Sequence, residues 1–387
     1  MAAYTRQVMW LYPARLGRFN SNFPLYVPRR RWRSFHFIHT TTTPIKAGYF
    51  QTHDFSAKNQ VVIDDKIYGK HVVSEPVLVE LLQSPALSRL AGVHQHGISG
   101  LLGLTPKVTR LEHSVGAFLL VRLVGAGLDE QVAALLHDIS HTAMSHVVDF
   151  ALSEPGEGSF HEVHKARFVK TTEIPAILTR HGFGDLKPLE EELYPLVEMP
   201  APHLCADRLD YALRDIVGFG HVLLEDAQRI LVSLKAMPSP TSQHRLLVLR
   251  DEQLALSLAR GYMACDRDVW GNPAHGDLYT RTAQLMKSLI KGGCVREEEL
   301  RTLSDEAFWS KMRQEVDYVG REAMNKLESE GLPDETGLPL SPNAKVRTLD
   351  PDICVSPGKA KPLSVLIPEY AAERRRYILA RQELFTL

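Results

Sequence analysis

Apolar residues recur at helical spacing through most of the chain between residues 76 and 290. An apolar side chain at every third or fourth position is typical of helices that cover a core. Ser74 and Pro76 mark the start of the first of these stretches, at 77–90. The pattern predicts further helices at 114–124, 129–137, 204–219, 223–234, 251–263 and 278–290, and a charged helix at 368–384.

β-like sequence is confined to two short stretches. The β-branched run at 60–73 has Gly69 near its end and predicts a small β-hairpin, and a second run lies at 244–251. Beyond residue 331 the chain is rich in proline and predicts loops. We therefore expect a mainly α protein with a small β-hairpin and a mixed carboxy-terminal part. Its expected divisions are a leader at 1–50, a helical body at 55–290, and a mixed region at 291–387 that packs on the body.

The composition excludes several classes of protein. The chain has 387 residues, of which 44% are hydrophobic and 24% are charged, which is ordinary globular usage. Its four cysteines form no CxxC pair, so the sequence indicates neither a disulfide framework nor a thiolate zinc site. Charges or prolines interrupt every apolar run, so we expect no membrane span. The formal charge of −1 does not indicate nucleic acid as a partner.

The near-neutral total conceals a basic amino terminus. Residues 1–50 contain eight Lys and Arg and no Asp or Glu. An arginine-rich, acid-free segment with a Thr run at 40–43 is typical of a mitochondrial transit peptide, and we expect a mitochondrial protein. The alternative is a basic arm of a nuclear or cytoplasmic protein, which contacts nucleic acid or directs nuclear entry through residues 29–33.

Histidine and aspartate are concentrated in two helical stretches that follow one another. His113 stands at the head of an apolar helix. His137 and Asp138 come directly after the apolar residues 133–136, so both polar side chains enter a buried setting. Burial of an imidazole beside a carboxylate costs several kcal/mol unless hydrogen bonds or a cation compensate. A bound metal ion would compensate, which makes these residues candidate ligands.

A third polar group lies in the helix predicted at 204–219. Asp207, Tyr211, Arg214 and Asp215 fall within about 100° of one another around this helix. One face then offers two carboxylates, a phenol and a guanidinium, which suits binding of a metal and a polar substrate. A solvated face with Asp–Arg pairs is the alternative.

The order of these residues resembles a known family. His113, then His137 with Asp138, then Asp207 is the pattern of the HD-superfamily metal-dependent phosphohydrolases. The similarity extends to the branch of the deoxynucleoside triphosphate triphosphohydrolases, which includes the bacterial dGTPases, and covers about residues 60–370. It implies an HD-domain helical bundle that binds one divalent metal ion (Mn, Mg, Fe, Co, Ni or Zn). The implied metal ligands are His113, His137, Asp138 and Asp207.

The resemblance also implies roles around the metal. His141 and His161 would face the phosphates as catalytic residues, and Asp149 would pair with one of them and orient it. The implied substrate contacts are Gln95, Arg110, His146, Tyr211 and Asp215, with Gln95 and Asp215 near the sugar and a weaker assignment for His146. His164 has an equally weak claim.

The chain departs from the family pattern at several positions. His96 stands where the family usually has Leu in a Gln-Leu-Gly sequence, which changes the wall near the sugar. Ala91 replaces the arginine that binds an activating nucleotide. The family's downstream substrate tyrosine has no clean counterpart. Trp270, His275 and Tyr279 are candidates for its place, although each also suits a core or loop position.

These patterns favour a metal-dependent phosphohydrolase of nucleotides. The favoured reaction converts a deoxynucleoside triphosphate into a deoxynucleoside and triphosphate, as in a dGTPase, and the family implies a homo-oligomer. One alternative is a nucleotide monophosphatase or phosphodiesterase of the same fold, with a second metal ion at His141 and His161. The others are a non-catalytic HD protein that binds nucleotides or nucleic acid, and a di-iron oxygenase on the same helical frame.

Overall fold

A computed structural model describes residues 50–55, 57, 59–154, 156–340 and 344–385 of the chain. The prediction of a mainly α fold is confirmed, since the described residues form 17 helices and seven short strands. The basic leader lies outside the described residues apart from Phe50, so mitochondrial import stays a prediction. The boundary near residue 290 and the homo-oligomer also stay predictions.

The predicted helices occur in the predicted order with small shifts at most ends, except that the stretch predicted at 77–90 divides into two short helices and a 3₁₀ turn. The helices are α1 Pro76–Leu82, α2 Pro85–Ser88, α3 Gly97–Leu101, α4 Arg110–Leu123, α5 Leu128–Leu136, α6 Val147–Leu152, α7 Phe160–Val169, α8 Ile174–Arg180, α9 Ala206–Gly218, α10 Leu224–Ser233, α11 Glu252–Cys265, α12 Pro273–Lys291, α13 Glu297–Leu300, α14 Asp305–Glu315, α15 Tyr318–Glu330, α16 Leu363–Leu366 and α17 Pro368–Glu383. A π-helical turn at Asp266–Trp270 follows α11. None of the helices in the described part of the chain has the length and apolar character that crossing a bilayer requires.

The predicted hairpin is part of a three-stranded antiparallel sheet. Its strands are β1 Gln51–Asp54, β2 Val61–Asp65 and β3 Gly69–Val73, in that order across the sheet. The turn between β2 and β3 begins at Asp65, whose carboxylate accepts from the backbone N–H groups of Ile67 and Tyr68 at 2.7 and 3.0 Å. The turn ends at Gly69, whose φ of 81° lies in the left-handed region that favours glycine.

A second sheet joins the carboxy-terminal part to the helical body. Its order is β4 Leu234–Met237, β5 Leu246–Leu249, β6 Asp352–Ser356 and β7 Lys359–Pro362. The pair β5–β6 is parallel and connects segments that lie about a hundred residues apart in the sequence. The predicted strand at 244–251 is therefore confirmed as β5.

Helix α4 lies at the centre of the main core, packed against α5 and α9. The side chains of Val115 and of residues 117–121 are fully buried, and the first turn of the helix is closed by a capping box between Thr109 and Glu112. A second apolar cluster joins α3, α6, α12, α14 and α15. Helices α14 and α15 are not predicted by the sequence pattern and lie in the region expected to be mixed.

Arg214 of α9 does not lie on a solvated face. It is fully buried, and its guanidinium donates to Asp210 at 3.0 Å and to Asp65 at 2.9 Å. Its Nη2 atom also donates to the backbone carbonyl of Glu112 at 3.0 Å. The alternative of a solvated face is therefore wrong for Arg214, because two buried carboxylates require this cation inside the core.

Candidate metal centre and active site

Two imidazole rings and a carboxylate converge where α4, α5 and α9 meet. The Nε2 atoms of His113 and His137 lie 3.1 Å apart. Oδ1 of Asp207 is 3.0 Å from Nε2 of His113 and 3.6 Å from Nε2 of His137. Three of the four residues predicted as metal ligands therefore direct one ligand atom each at a common point.

The other ring nitrogens determine which atoms are free to bind a metal. Nδ1 of His137 donates to the carbonyl of Ala134 at 2.7 Å, and Nδ1 of His113 donates to Oδ2 of Asp210 at 2.8 Å. In the neutral rings each Nε2 then carries a lone pair that faces the other ring. Ligand atoms about 2.1 Å from one ion lie about 3 Å from each other, so this set fits a divalent cation.

Asp138, the fourth predicted ligand, borders the same point. Its Oδ2 lies 3.6 Å from Nε2 of His113, and its Oδ1 lies 3.8 Å from Nε2 of His137. Nη1 of Arg110 donates to Oδ2 of Asp138 at 2.7 Å, and both side chains are buried. The structure thus brings all four predicted ligands together and adds Arg110 beside them.

The charges at this point are balanced by protons when no cation is bound. Burial disfavours the charged form of His113, but hydrogen bonds to Asp207 and Asp210 outweigh it and raise the pKa of His113 to about 10. Burial also opposes ionisation of Asp207, yet the hydrogen bonds from the two histidines hold the pKa of Asp207 below its usual range. Binding of a cation must displace a proton, so it becomes stronger as pH rises.

A second group lies on the other side of Asp138. Nε2 of His141 is 3.3 Å from Oδ1 of Asp138, and the rings of His141 and His161 stack with centroids 3.6 Å apart. Burial is the main cause that lowers the pKa of His161 to about 3, and it also lowers the pKa of His141. Both rings are therefore neutral near pH 7, and each keeps a nitrogen that can accept a proton or bind a cation.

Asp149 does not pair with either of these rings. Its Oδ2 accepts from Nδ1 of His146 at 2.8 Å, and its Oδ1 accepts from the backbone N–H of Phe160 at 2.7 Å. His146 precedes Asp149 by three residues at the start of α6, so the two side chains lie on one face of the turn. The expectation that Asp149 orients His141 or His161 is wrong, and its partner is His146.

A partly exposed carboxylate near Asp207 belongs to a further group. Glu198 and Cys205 each place a potential ligand atom near Asp207. Burial, with a smaller effect of the Asp207 charge, raises the pKa of Glu198 to about 7. Burial also raises the pKa of the Cys205 thiol, which keeps it protonated and unsuited to metal binding near neutral pH.

Aromatic side chains line the face of α9 beyond Asp207. The hydroxyl of Tyr211 lies 2.6 Å from that of Tyr262, and its ring meets Trp270 edge to face with centroids 5.2 Å apart. Nε1 of Trp270 donates to Oδ2 of Asp215 at 2.7 Å, and Nε2 of His96 donates to Oδ1 of Asp215 at 2.9 Å. Both oxygens of the buried Asp215 thus have protein partners, and its direct contact with substrate stays a prediction.

The other residues predicted to contact the substrate differ in their burial and in their partners. The backbone carbonyl of Gln95 accepts from Nη2 of Arg110 at 3.4 Å, and Oε1 of Gln95 is buried without a partner among the described residues. His146 is half-exposed beside His161. Of the three candidates for the place of the missing tyrosine, Trp270 lies at the site. His275 is hydrogen-bonded to Ser99, and Tyr279 donates to the backbone carbonyl of His96. His164, which has only a weak claim to a role at the site, packs on Phe160.

Two carboxylates that support the site are not identified by the sequence pattern. Asp210 accepts from His113, and Asp305 binds His94 and Met144. Asp210 follows Asp207 by three residues, so the helical spacing could have placed it beside the same histidine. No comparable signal exists for Asp305, because its partners lie 161 and 211 residues away in the sequence.

Comparison with known proteins finds similarity over most of the chain. The metal-dependent phosphohydrolase cns2 of Cordyceps militaris is 56% identical over 341 residues, which span 88% of this chain and 99% of that protein. An uncharacterized protein of Bacillus subtilis, YdhJ, is 45% identical over 170 residues, which span 44% of this chain and 52% of that protein. The chain matches no family model.

More distant relatives agree with the fold. The deoxynucleoside triphosphate triphosphohydrolase SAMHD1 of Danio rerio is 24% identical over 227 residues, which span 46% of this chain and 36% of that protein. The crystal structure of a phosphohydrolase from Bacteroides thetaiotaomicron matches with a TM-score of 0.57 at 17% identity, over 79% of this chain and 94% of that one. On the strength of the near full-length relative, the chain belongs to the metal-dependent phosphohydrolases of the HD type.

Proposed function

We propose that this protein hydrolyses nucleotides with one divalent cation held by His113, His137, Asp138 and Asp207. The observation that carries the proposal is the 3.1 Å approach of two Nε2 atoms whose Nδ1 partners are hydrogen-bonded elsewhere. Two lone pairs at this distance repel each other unless a proton or a metal cation lies between them. Adjacent carboxylates make a divalent ion the natural occupant.

The cation, when bound, lowers the pKa of a water molecule and offsets negative charge on the phosphate. Arg110 adds a fixed positive charge beside Asp138, where it can bind and orient a phosphate group. His161 lies on the far side of Asp138 and is neutral in the free protein because burial lowers its pKa. A bound phosphate raises that pKa by its charge, which allows His161 to take up a proton and donate it to the leaving oxygen.

The substrate we propose is a deoxynucleoside triphosphate, with a deoxynucleoside and triphosphate as products. The supporting observations are the resemblance in the motifs and the similarity to the fish triphosphohydrolase. Tyr211 and Asp215 also follow Asp207 at successive turns of α9, which gives a face about 12 Å long. This length accommodates phosphates at Asp207 and a nucleoside beside Tyr211, Tyr262 and Trp270.

A second candidate function is a monophosphatase or phosphodiesterase with two cations. It is favoured by the group Asp138, His141 and His161, whose ligand atoms lie within 4.8 Å of one another. Asp138 would then contribute to the binding of both ions. Two-metal sites of this kind stabilise both the attacking and the leaving oxygen of a phosphate ester.

The products separate these reactions. The full chain, loaded with Mn²⁺, is incubated with dNTPs, NTPs and nucleoside monophosphates, and the products are resolved by ion-exchange chromatography. Asp207→Ala is the inactive variant, and Asp226→Ala, in a partly exposed ion pair with Arg229, is the matched control. We expect deoxynucleoside and triphosphate from wild type and Asp226→Ala only.

Other results would argue against this reaction. Release of inorganic phosphate from monophosphates would favour the two-metal candidate. Binding of nucleotides without turnover of any of them would contradict the hydrolase proposal and favour a nucleotide-binding protein.

A further inference from the structure

Asp305 connects three segments of the chain outside the candidate metal centre. It is the first residue of α14, and its side chain is fully buried. Oδ2 accepts from the backbone N–H and from ring Nδ1 of His94, at 2.8 and 2.9 Å, and Oδ1 accepts from the backbone N–H of Met144 at 2.7 Å. Three donors converge on this one carboxylate.

The loop that Asp305 holds has an unusual backbone conformation. Met144 and Ser145 have φ values of 67° and 46°, in the left-handed region that residues other than glycine rarely adopt. Such conformations persist only where the surroundings hold them. Asp305 binds the N–H of the first of these residues, and the carbonyl of Leu300 accepts from the N–H of Ala143 at 2.8 Å.

The two segments bound by Asp305 meet at Ser145. The Ser145 hydroxyl donates to the carbonyl of His94 at 2.6 Å and accepts from Nε of Arg110 at 3.1 Å. The same guanidinium donates to Asp138 at 2.7 Å. A continuous chain of hydrogen bonds therefore leads from Asp305 through His94 and Ser145 to Arg110.

We propose that Asp305 is a positioning residue for the phosphohydrolase reaction. It fixes His94 and the loop at 144–145, and through Ser145 it directs the Arg110 guanidinium towards Asp138 and the substrate phosphate. The contact of Arg110 with phosphate rests on the proposed function, whereas the hydrogen-bond chain does not. Because an ionised carboxylate is acceptor-only at both oxygens, Asp suits this position and an amide does not.

The test compares Asp305→Asn with Glu306→Gln in the full chain. Asn keeps the size of the side chain but turns an NH₂ group towards one of the donors. Glu306 is the adjacent, exposed carboxylate, 3.8 Å from Nε2 of His94, and makes a matched control. We expect kcat/KM to fall about tenfold or more in Asp305→Asn, mainly through KM, and to change less than about twofold in Glu306→Gln.

A double-mutant cycle with Arg110→Ala distinguishes positioning from a purely structural role. If Asp305 acts through Arg110, Asp305→Asn has little further effect on kcat/KM once Arg110 is removed. A full, additive loss in the double variant would overturn the inference. So would unchanged kinetics of Asp305→Asn.

Two further measurements do not depend on turnover. Hydrogen exchange of the amides at 140–146 should be about tenfold faster in Asp305→Asn than in Glu306→Gln. Inorganic pyrophosphate, titrated by calorimetry into the Mn²⁺-loaded chain, should bind more weakly to Asp305→Asn and to Arg110→Ala, with no further loss in the double variant.

These results separate the two proposals. If wild type hydrolyses nucleotides but Asp305→Asn leaves amide hydrogen exchange and pyrophosphate affinity unchanged, only the role of Asp305 is contradicted. A wild type that hydrolyses no nucleotide would contradict the proposed function, and the exchange and binding data would still decide on Asp305.

Discussion

Nδ1 of His113 donates a hydrogen bond of 2.8 Å to Oδ2 of Asp210, and this directs Nε2 of the same ring at Asp207 and His137. Asp210 is itself held by the hydroxyl of Tyr68 at 2.8 Å and by Arg214. The orientation of one candidate metal ligand thus depends on a buried network that reaches the turn between β2 and β3.

Replacement of Asp210 should therefore weaken metal binding. Without the carboxylate, the His113 ring loses the partner that fixes its tautomer, and partners of this kind contribute about 10- to 100-fold to metal affinity. We expect Asp210→Asn to bind Mn²⁺ more weakly by that factor in competition with a chelator. Asp226→Asn, at a partly exposed carboxylate paired with Arg229, should bind like wild type. Equal affinities for Asp210→Asn and wild type would show that Asp210 does not support the site.

The same network should contribute strongly to stability. Arg214→Leu leaves the buried carboxylates of Asp65 and Asp210 without their cation, a change that typically costs about 3–5 kcal/mol. Arg229 forms an exposed pair with Asp226, so Arg229→Leu should change the free energy of unfolding by less than about 1 kcal/mol. Urea unfolding measures both values, and similar losses in the two variants would refute this account of the core.

Gly97 should tolerate no side chain. It has a φ of 48°, and a Cβ atom there would lie 2.4 Å from the carbonyl oxygen of Met144. We expect Gly97→Ala to destabilise the protein by about 2 kcal/mol or more, because the substitution adds both strain and a backbone clash. Gly184→Ala, where the added Cβ meets open space, is the matched control. A thermal unfolding midpoint of Gly97→Ala equal to that of the control would contradict the close approach.

His275 should make stability depend on pH. Burial lowers the pKa of His275 to about 3, whereas the ring has a pKa near 6.5 in the unfolded chain. Between these values the unfolded state binds the extra proton, so stability falls as pH drops below about 6.5. From pH 7.5 to 5.5, wild type should lose about 1.4 kcal/mol more than His275→Asn in urea unfolding.

An exposed histidine provides the control for this pH effect. His244 lies in an exposed position on the loop between β4 and β5. His244→Asn should show the pH dependence of wild type. Parallel curves for wild type and His275→Asn would instead mean that the ring does not titrate differently in the folded protein.

Local spacing explains what could be predicted from the sequence. Periodicity determines which residues share a helix face, so Asp207 and Tyr211 could be placed together, and the adjacent His137 and Asp138 identified the site. Arg214 shows the limit, because spacing cannot tell a solvated face from a buried one. Its burial depends on Asp65, which lies 149 residues away in the sequence.

Sequence spacing likewise leaves the hydrogen-bond partners of the site residues undetermined. Asp149 could be associated with the histidines near it, but only the path of the chain into α6 selects His146 rather than His141. Asp305 has no local signal at all, since its role arises from the packing of α14 against the loop that carries Met144. Contacts between residues so far apart in the sequence can be located only from the complete fold.

Metal content measured together with turnover tests the proposed metal centre. The full chain is stripped with a chelator and reloaded with Mn²⁺, bound metal is quantified by mass spectrometry, and nucleotide hydrolysis is followed at each stage. We predict one tightly bound ion per chain, loss of hydrolysis on stripping and recovery on reloading, and neither ion nor hydrolysis in a folded Asp207→Ala variant. Hydrolysis that persists in the stripped protein, or a full complement of metal in Asp207→Ala, would contradict the assignment of a catalytic metal ion to this site.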